Sequence, residues 1–269
     1  MSYAGIFSFC KNPDFRLHCQ DLTNYSTDYE LACCFEQDLY LLQEGHPSYV
    51  TAPGSYLALY SSPLSDSGTP FLDIHESLDL APQMASILDD MRFLTASILS
   101  LSLMDYGPSL PTQPLTPESI QSKACRIYNE ISHLPITPLS ARSSTKDIIS
   151  EAIRITAIAY SSAIAARTPF SRACTAGLRQ QLYARIWRVS LSTWKKVPGI
   201  FQWILLVACP GSVNDVPGRL LRRTASVVAI YIGLQHFGLS STCVRQFWQV
   251  QRWIARARTS EAEEEEVGD

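Results

Sequence analysis

Glu151 and Arg154 stand one helical turn apart, and no other charged side chain occurs between Glu151 and Arg167. A carboxylate and a guanidinium at that spacing can pair on one helix face, an interaction worth only about 0.2–0.5 kcal/mol when exposed. An arginine in so apolar a stretch has two uses. It could recognise the carboxylate of a small effector inside a helical bundle, with Tyr160 and Trp203 lining the cavity. It could instead tie its helix to an Asp or Glu of the acidic half of the chain. The structural use is the expectation, because buried ionic groups are more often architectural than functional, and aromatic residues at helical spacing usually belong to a core.

A second set of candidates lies near the C-terminus. Arg245, Arg252 and Arg256 fall near one face of a last helix, and Arg219, Arg222, Arg223 and Arg258 add to the cluster. A positive stripe of this kind can contact phosphates. The tail E-A-E-E-E-E-V-G-D that follows would compete with phosphates, and the sequence pI is near 6.0. The expectation is therefore a solvated basic face, or one docked on the acidic N-terminal half, with direct DNA binding disfavoured.

Other chemistry is poorly supplied. The histidines at 18, 46, 75, 133 and 236 are far apart, and His75-Glu76 opens a string without the second histidine of a zinc-protease helix. Cysteines 10, 19, 33, 34, 125, 174, 209 and 243 include no C-x-x-C pair, so buried or surface thiols are expected rather than a metal site. No nucleophile elbow, phosphate loop or dinucleotide fingerprint is present. No catalytic residue, cofactor or metal ligand can be assigned.

The elements that would position these residues are helical. Apolar residues recur at three and four positions through most of the 269-residue chain, which is 46% apolar and 17% charged. The spacing predicts an all-α fold, an irregular bundle of about eight helices with Pro-rich connections. These span 28–44, 82–104, 117–133, 146–167, 172–190, 199–209, 219–236 and 242–258. Ser55 to Ser61 could make one short strand or an extended surface segment. Thr116 and Pro117 suit a helix start, and the 146–167 helix, apolar nearly all round, is the expected centre of the core. Residues 1–54 read as an N-terminal segment with one helix, 55–258 as the helical domain, and 259–269 as a disordered acidic tail. The runs 197–209 and 225–234 fall short of the roughly 20 residues that span a bilayer. With no secretory signal at the start, an intracellular protein is expected.

Charge is asymmetric. From Met1 to Ser119 there are 15 Asp/Glu against 3 Lys/Arg, and from Arg172 to Arg258 there are 13 Lys/Arg against Asp215 alone. The two halves could attract each other internally, or the basic half could hold an external anion.

Four segments occur in a telling order: A-S-I-L-D-D-M-R-F-L from Ala85, Glu151 with Arg154, Pro198-Gly199 with Trp203, and Trp248 with Trp253. In this order they resemble the C-terminal regulatory domain of fungal transcription factors of the binuclear zinc cluster class, over about residues 75–257. That family's DNA-binding head needs six cysteines in closely spaced pairs, and none are found here. The resemblance implies a nuclear or nucleocytoplasmic, non-enzymatic transcription-regulator-like protein. It would act through other regulators or a small effector, without a membrane, and could dimerise. Two alternatives stand beside it: a helical-scaffold enzyme of a fungal metabolic cluster, and a fragment of a longer DNA-binding factor.

Overall fold

Hydroxyl side chains and prolines set where the main helices begin. The computed structural model describes residues 32–37, 58–65, 68–104, 116–136, 140, 143–212 and 216–267. Thr116 caps the helix Pro117–Ser132 by accepting from the Ser119 N–H, while Ser119 returns a bond to the Thr116 backbone. Ser144 and Asp147 form the same reciprocal box at the head of Thr145–Ala165. Each box satisfies two N–H groups that a helix start otherwise leaves without partners. Pro198 opens Pro198–Ala208, and Gly211 ends the following turn with φ of 77°, a conformation glycine adopts without a Cβ penalty.

In chain order the helices are α1 (Phe71–Ile74), α2 (Pro82–Met104), α3 (Pro117–Ser132), α4 (Thr145–Ala165), α5 (Phe170–Ala173), α6 (Ala176–Arg188), α7 (Leu191–Trp194), α8 (Pro198–Ala208) and α9 (Val216–Val267). A helical turn at 32–35 and a 3-10 turn at Ala58–Tyr60 precede them. No strand occurs among the described residues, so the all-α class holds. Helix α4 lies at the centre, packed against α2, α3, α5, α6 and α8, and α9 lies along α8 and α2. Its buried positions run nearly unbroken from Glu151 to Ala157, and every residue of α8 is buried. By length and composition α4 could cross a membrane, but most of it is buried inside the fold. An apolar stripe that wide finds its partners in neighbouring helices.

The N-terminal half is fastened by its acids. Asp89 of α2 accepts from the Phe71 and Leu72 N–H groups at 2.8 and 3.0 Å, holding the start of α1. Arg92 donates to the Thr69 carbonyl at 2.9 Å and stacks over the Phe71 ring. The Glu36 carboxylate accepts from the Ser171 hydroxyl and from its N–H. Lys146 meets Asp79 at 2.8 Å, and Lys123 meets Asp90 at 3.6 Å.

Several expectations need correction. Eleven helical segments are present among the described residues rather than about eight. The segment expected as a strand or surface stretch forms a 3-10 turn at Ala58–Tyr60, with Tyr60 buried. Of the first expected helix, 28–44, residues 32–35 form a helical turn that ends where Glu36 takes a left-handed φ of 51°, and 28–31 and 38–44 lie outside the described residues. The expected 172–190 helix is split at Cys174, where ψ of 77° breaks the ladder and Thr175 caps a fresh start. The two helices expected at 219–236 and 242–258 are one. Nothing after Pro217 removes a backbone donor from α9, and Gly233 and Gly238 cost only about 1 kcal/mol each. Burial of Ile232, Leu239, Val244, Phe247 and Val250 outweighs that cost. The helix also extends to Val267. Once a helix exists, adding alanine and glutamate to its end is cheap.

Close packing generates a test at Gly199. A Cβ there would fall 2.5 Å from the Ser61 carbonyl oxygen, with the Tyr60 carbonyl no further away, and backbone cannot swing aside. Gly199→Ala should cost about 1–3 kcal/mol, read from the urea midpoint. An unchanged midpoint would mean that α8 and the 3-10 turn are not in contact.

Candidate functional site

The helix that carries Glu151 and Arg154 places them inside the protein rather than on its surface. Arg154 Nε donates to Glu151 Oε2 at 3.0 Å and Nη2 donates to Oε1 at 2.7 Å, a two-pronged pair with both side chains buried. A second arginine, Arg185 of α6, brings its Nη2 to 3.7 Å from the same Oε1. Arg185 Nη1 donates to the Gln181 carbonyl, and its Nε is buried without an acceptor among the described residues. Burial pulls the Arg185 guanidinium down from its ordinary range, with Glu151 opposing and Arg154 reinforcing. Glu151 therefore serves two cations and joins α4 to α6. The expected tie between Arg154 and the acidic half is corrected: its partner is on its own helix.

Tyr160 and Trp203 are likewise fully buried. Their rings meet edge-on at 6.0 Å, and Tyr160 stacks on Phe170 at 5.5 Å, which in turn meets Phe247 at 4.9 Å. The Tyr160 hydroxyl shares a hydrogen bond of 2.8 Å with Thr95, whose own hydroxyl also bonds the Met91 carbonyl. Burial holds the Tyr160 phenol well above its ordinary range, with the Thr95 bond opposing. The Trp203 Nε1–H has no acceptor among the described residues. These two rings join helices together, and Arg154 is held on Glu151 nearby in sequence. Among the described residues, none of the three lines the hollow beside Trp248 or the one beside Tyr183.

The arginines of α9 are placed differently. Arg245 and Arg252 are half-buried and Arg256 is exposed. Arg252 lies over the Trp248 ring at 5.7 Å, and these two line a hollow of about 300 Å³ with Phe35, Gln37, Phe170 and Gln251. Trp248 donates to the Gln37 carbonyl, and Gln251 to that of Cys33, so α9 holds the 32–37 segment in place. Arg222 sits over the Phe35 ring at 5.8 Å. The 32–37 segment and α9 thus meet through aromatic and backbone contacts.

Sequence reasoning overlooked Arg185, Tyr183 and Trp187. Glu151 is the one carboxylate of α4 beyond its capping turn, set in an apolar stretch, and that signal calls for a second cation from elsewhere. Tyr183 and Trp187 share a face of α6 at a spacing of four, and Trp187 is exposed. None of the six described cysteines is in a disulfide, and among the described residues no group of histidine, cysteine or acidic side chains is placed to hold a metal ion.

Geometry thus defines an all-helical protein with a core ion cluster and an arginine-bearing last helix. Comparison with known protein families, with characterised proteins and with solved structures finds no match to this chain.

Two outcomes check the core groups. Glu151→Gln leaves two guanidiniums facing each other without their carboxylate, and should cost about 3–5 kcal/mol in urea unfolding. A loss under about 1 kcal/mol would place the cluster in solvent instead. The second concerns alkaline pH. The folded Tyr160 phenol titrates above its ordinary 10.0, so its contribution is complete below that pH and declines as the unfolded chain ionises above it. The wild-type urea midpoint should therefore fall more steeply above pH 10 than that of Tyr160→Phe, which has no phenolic proton. The variant itself should cost about 1 kcal/mol at pH 7. Parallel pH profiles would put Tyr160 in contact with water.

Proposed function

We propose that this chain is a non-enzymatic, transcription-regulator-like protein that works through contacts with other proteins, in the nucleus or between nucleus and cytoplasm. The fold that goes with this reading is the irregular helical bundle of the fungal regulatory domain, with Pro-rich connections. Support comes from the order of its four sequence segments and from the division of labour between core and surface. Arg154, Tyr160 and Trp203 are engaged with protein partners inside the core. That leaves the effector version of the reading without support from them, and favours protein contacts made by the surface.

The observation that carries the proposal is the character of that surface. Exposed aromatic and cationic side chains occur together on α6 and on the helices that follow it: Trp187, Arg188, Leu191, Arg219 and Arg223 are all exposed. Aromatic residues and arginine are enriched where proteins meet. Arg245, Arg252 and Arg256 extend the cationic character along α9.

Fusing the full chain to an unrelated DNA-binding domain tests this directly. Expression of a reporter bearing the matching site should rise or fall at least about threefold, a change of about 0.7 kcal/mol in effective recruitment. The unfused chain should leave the reporter unchanged and should not retard duplex DNA at physiological salt. A silent fusion would defeat the regulator reading, and tight, sequence-specific binding by the unfused chain would replace it with a DNA-reading one.

A further inference from the structure

One helix face outside the core cluster is built to receive something. On α6 the residues Ala176, Gln180, Tyr183 and Trp187 are spaced by four, three and four, so they form a single stripe. Trp187 is 53% exposed, and Tyr183 meets it edge-on at 5.7 Å. Leu191, 55% exposed at the start of α7, continues the apolar character past the helix end. Beside Tyr183 the surface dips into a hollow of about 270 Å³ between α6 and the beginning of α9, where Pro217 and Leu221 face Ala176. A large exposed indole next to an apolar depression is the arrangement found at the centre of protein contacts, where a few buried anchors carry most of the affinity.

Charge says what kind of partner fits. From Arg172 to Ser212 the chain contains no Asp or Glu. Arg188 follows Trp187 directly and Arg219 follows Gly218 at the hollow, and both are exposed. Arg179 borders the hollow while donating to the Cys174 carbonyl, which holds its cation at the rim. Cations therefore flank an apolar stripe. Phosphates would satisfy the cations but leave the depression unfilled. An acidic peptide with aliphatic or aromatic side chains satisfies both.

We infer that the α6 face from Ala176 to Trp187, with the adjoining hollow against Pro217 and Leu221, is the docking site for an acidic peptide segment. One bulky apolar side chain of that segment fills the hollow and another packs on Trp187. The segment's carboxylates face Arg188 and Arg219. The α6 stripe from Ala176 to Trp187 is about 17 Å long by helical rise, so a partner of about three helical turns covers it. This inference rests on the protein-contact reading above and names the chemistry of the partner.

The test is fluorescence anisotropy with the full chain and a labelled acidic peptide of about 15 residues, carrying Leu and Phe at every third and fourth position. Binding is expected with a Kd on the order of 10–100 µM at low salt, weakening as salt rises. Trp187→Ala, and separately Arg188→Glu with Arg219→Glu, should each weaken it about tenfold or more. These positions are exposed, and an unchanged thermal melt checks that each variant folds. A control peptide of equal charge with Ser in place of Leu and Phe should bind at least about tenfold less well.

Equal binding of both peptides, or no effect of Trp187→Ala, overturns the inference. So does tighter binding of a single-stranded oligonucleotide of matched charge, which would assign the face to nucleic acid. The reporter fusion separates the two levels. An active fusion with indifferent Trp187→Ala removes the docking site alone, and a silent fusion with intact peptide binding removes the regulator reading alone.

Discussion

A chain of four aromatic rings holds the protein together. Trp203 of α8, Tyr160 of α4, Phe170 of α5 and Phe247 of α9 touch in sequence, each with its centroid between 4.9 and 6.0 Å from the next. All four are fully buried. Pairs of this kind contribute about 0.5–1.5 kcal/mol each beyond the area they remove from water. Their larger effect is geometric, because large rigid rings leave few alternative packings. The central helix, the most apolar helix and the longest helix are set against one another by this contact. Every surface feature on α6 and α9 inherits its position from it.

Polar groups admitted to this interior act as further ties. Glu151, already paired with Arg154 on its own helix, joins α4 to α6 through Arg185, and Thr95 joins α2 to α4 through the Tyr160 hydroxyl. Gln202 of α8 donates to Ser240 of α9 at 3.2 Å. Each spans two helices that also pack through apolar side chains. A buried polar group without its partner costs more than a good hydrogen bond contributes, so these contacts discriminate against shifted packings more strongly than they stabilise the native one. The ring chain sets the helices together, and the polar ties hold their register.

Much of this architecture was legible where a local signal stands at a helix end. The bounds of α2, α3, α4 and α8 follow from Pro82, from Thr116 with Pro117, from Ser144, and from Pro198. Each acts within one turn of itself, and periodicity then identified α4 as the centre. The misreadings occurred where tertiary packing decides. The sequence reading divided α9 between residues 236 and 242, yet burial against α8 and α2 carries the helix through. Glu36 and Cys174 interrupt helices at positions that no propensity marks. At the candidate site, the pairing of Glu151 with Arg154 was legible from their spacing, but the burial of the pair and the second guanidinium, from Arg185, come only with three dimensions. Tyr160 and Trp203 were recognisable as core aromatics, and their contact joins residues 43 positions apart.

Four thiols share this interior. Cys33, Cys174, Cys209 and Cys243 are buried, and burial pushes the Cys174 thiol up to about 11. While the fold is closed they are small apolar fillers, shielded from oxidants. Opening changes their chemistry all at once, since the unfolded chain exposes them together at ordinary acidity. In an oxidising medium, mispaired disulfides could then capture opened molecules before they reclose. Survival there would be governed by the rate of opening rather than by the equilibrium free energy of folding. The same side chains that complete the core thus make its persistence depend on the redox potential of the surroundings.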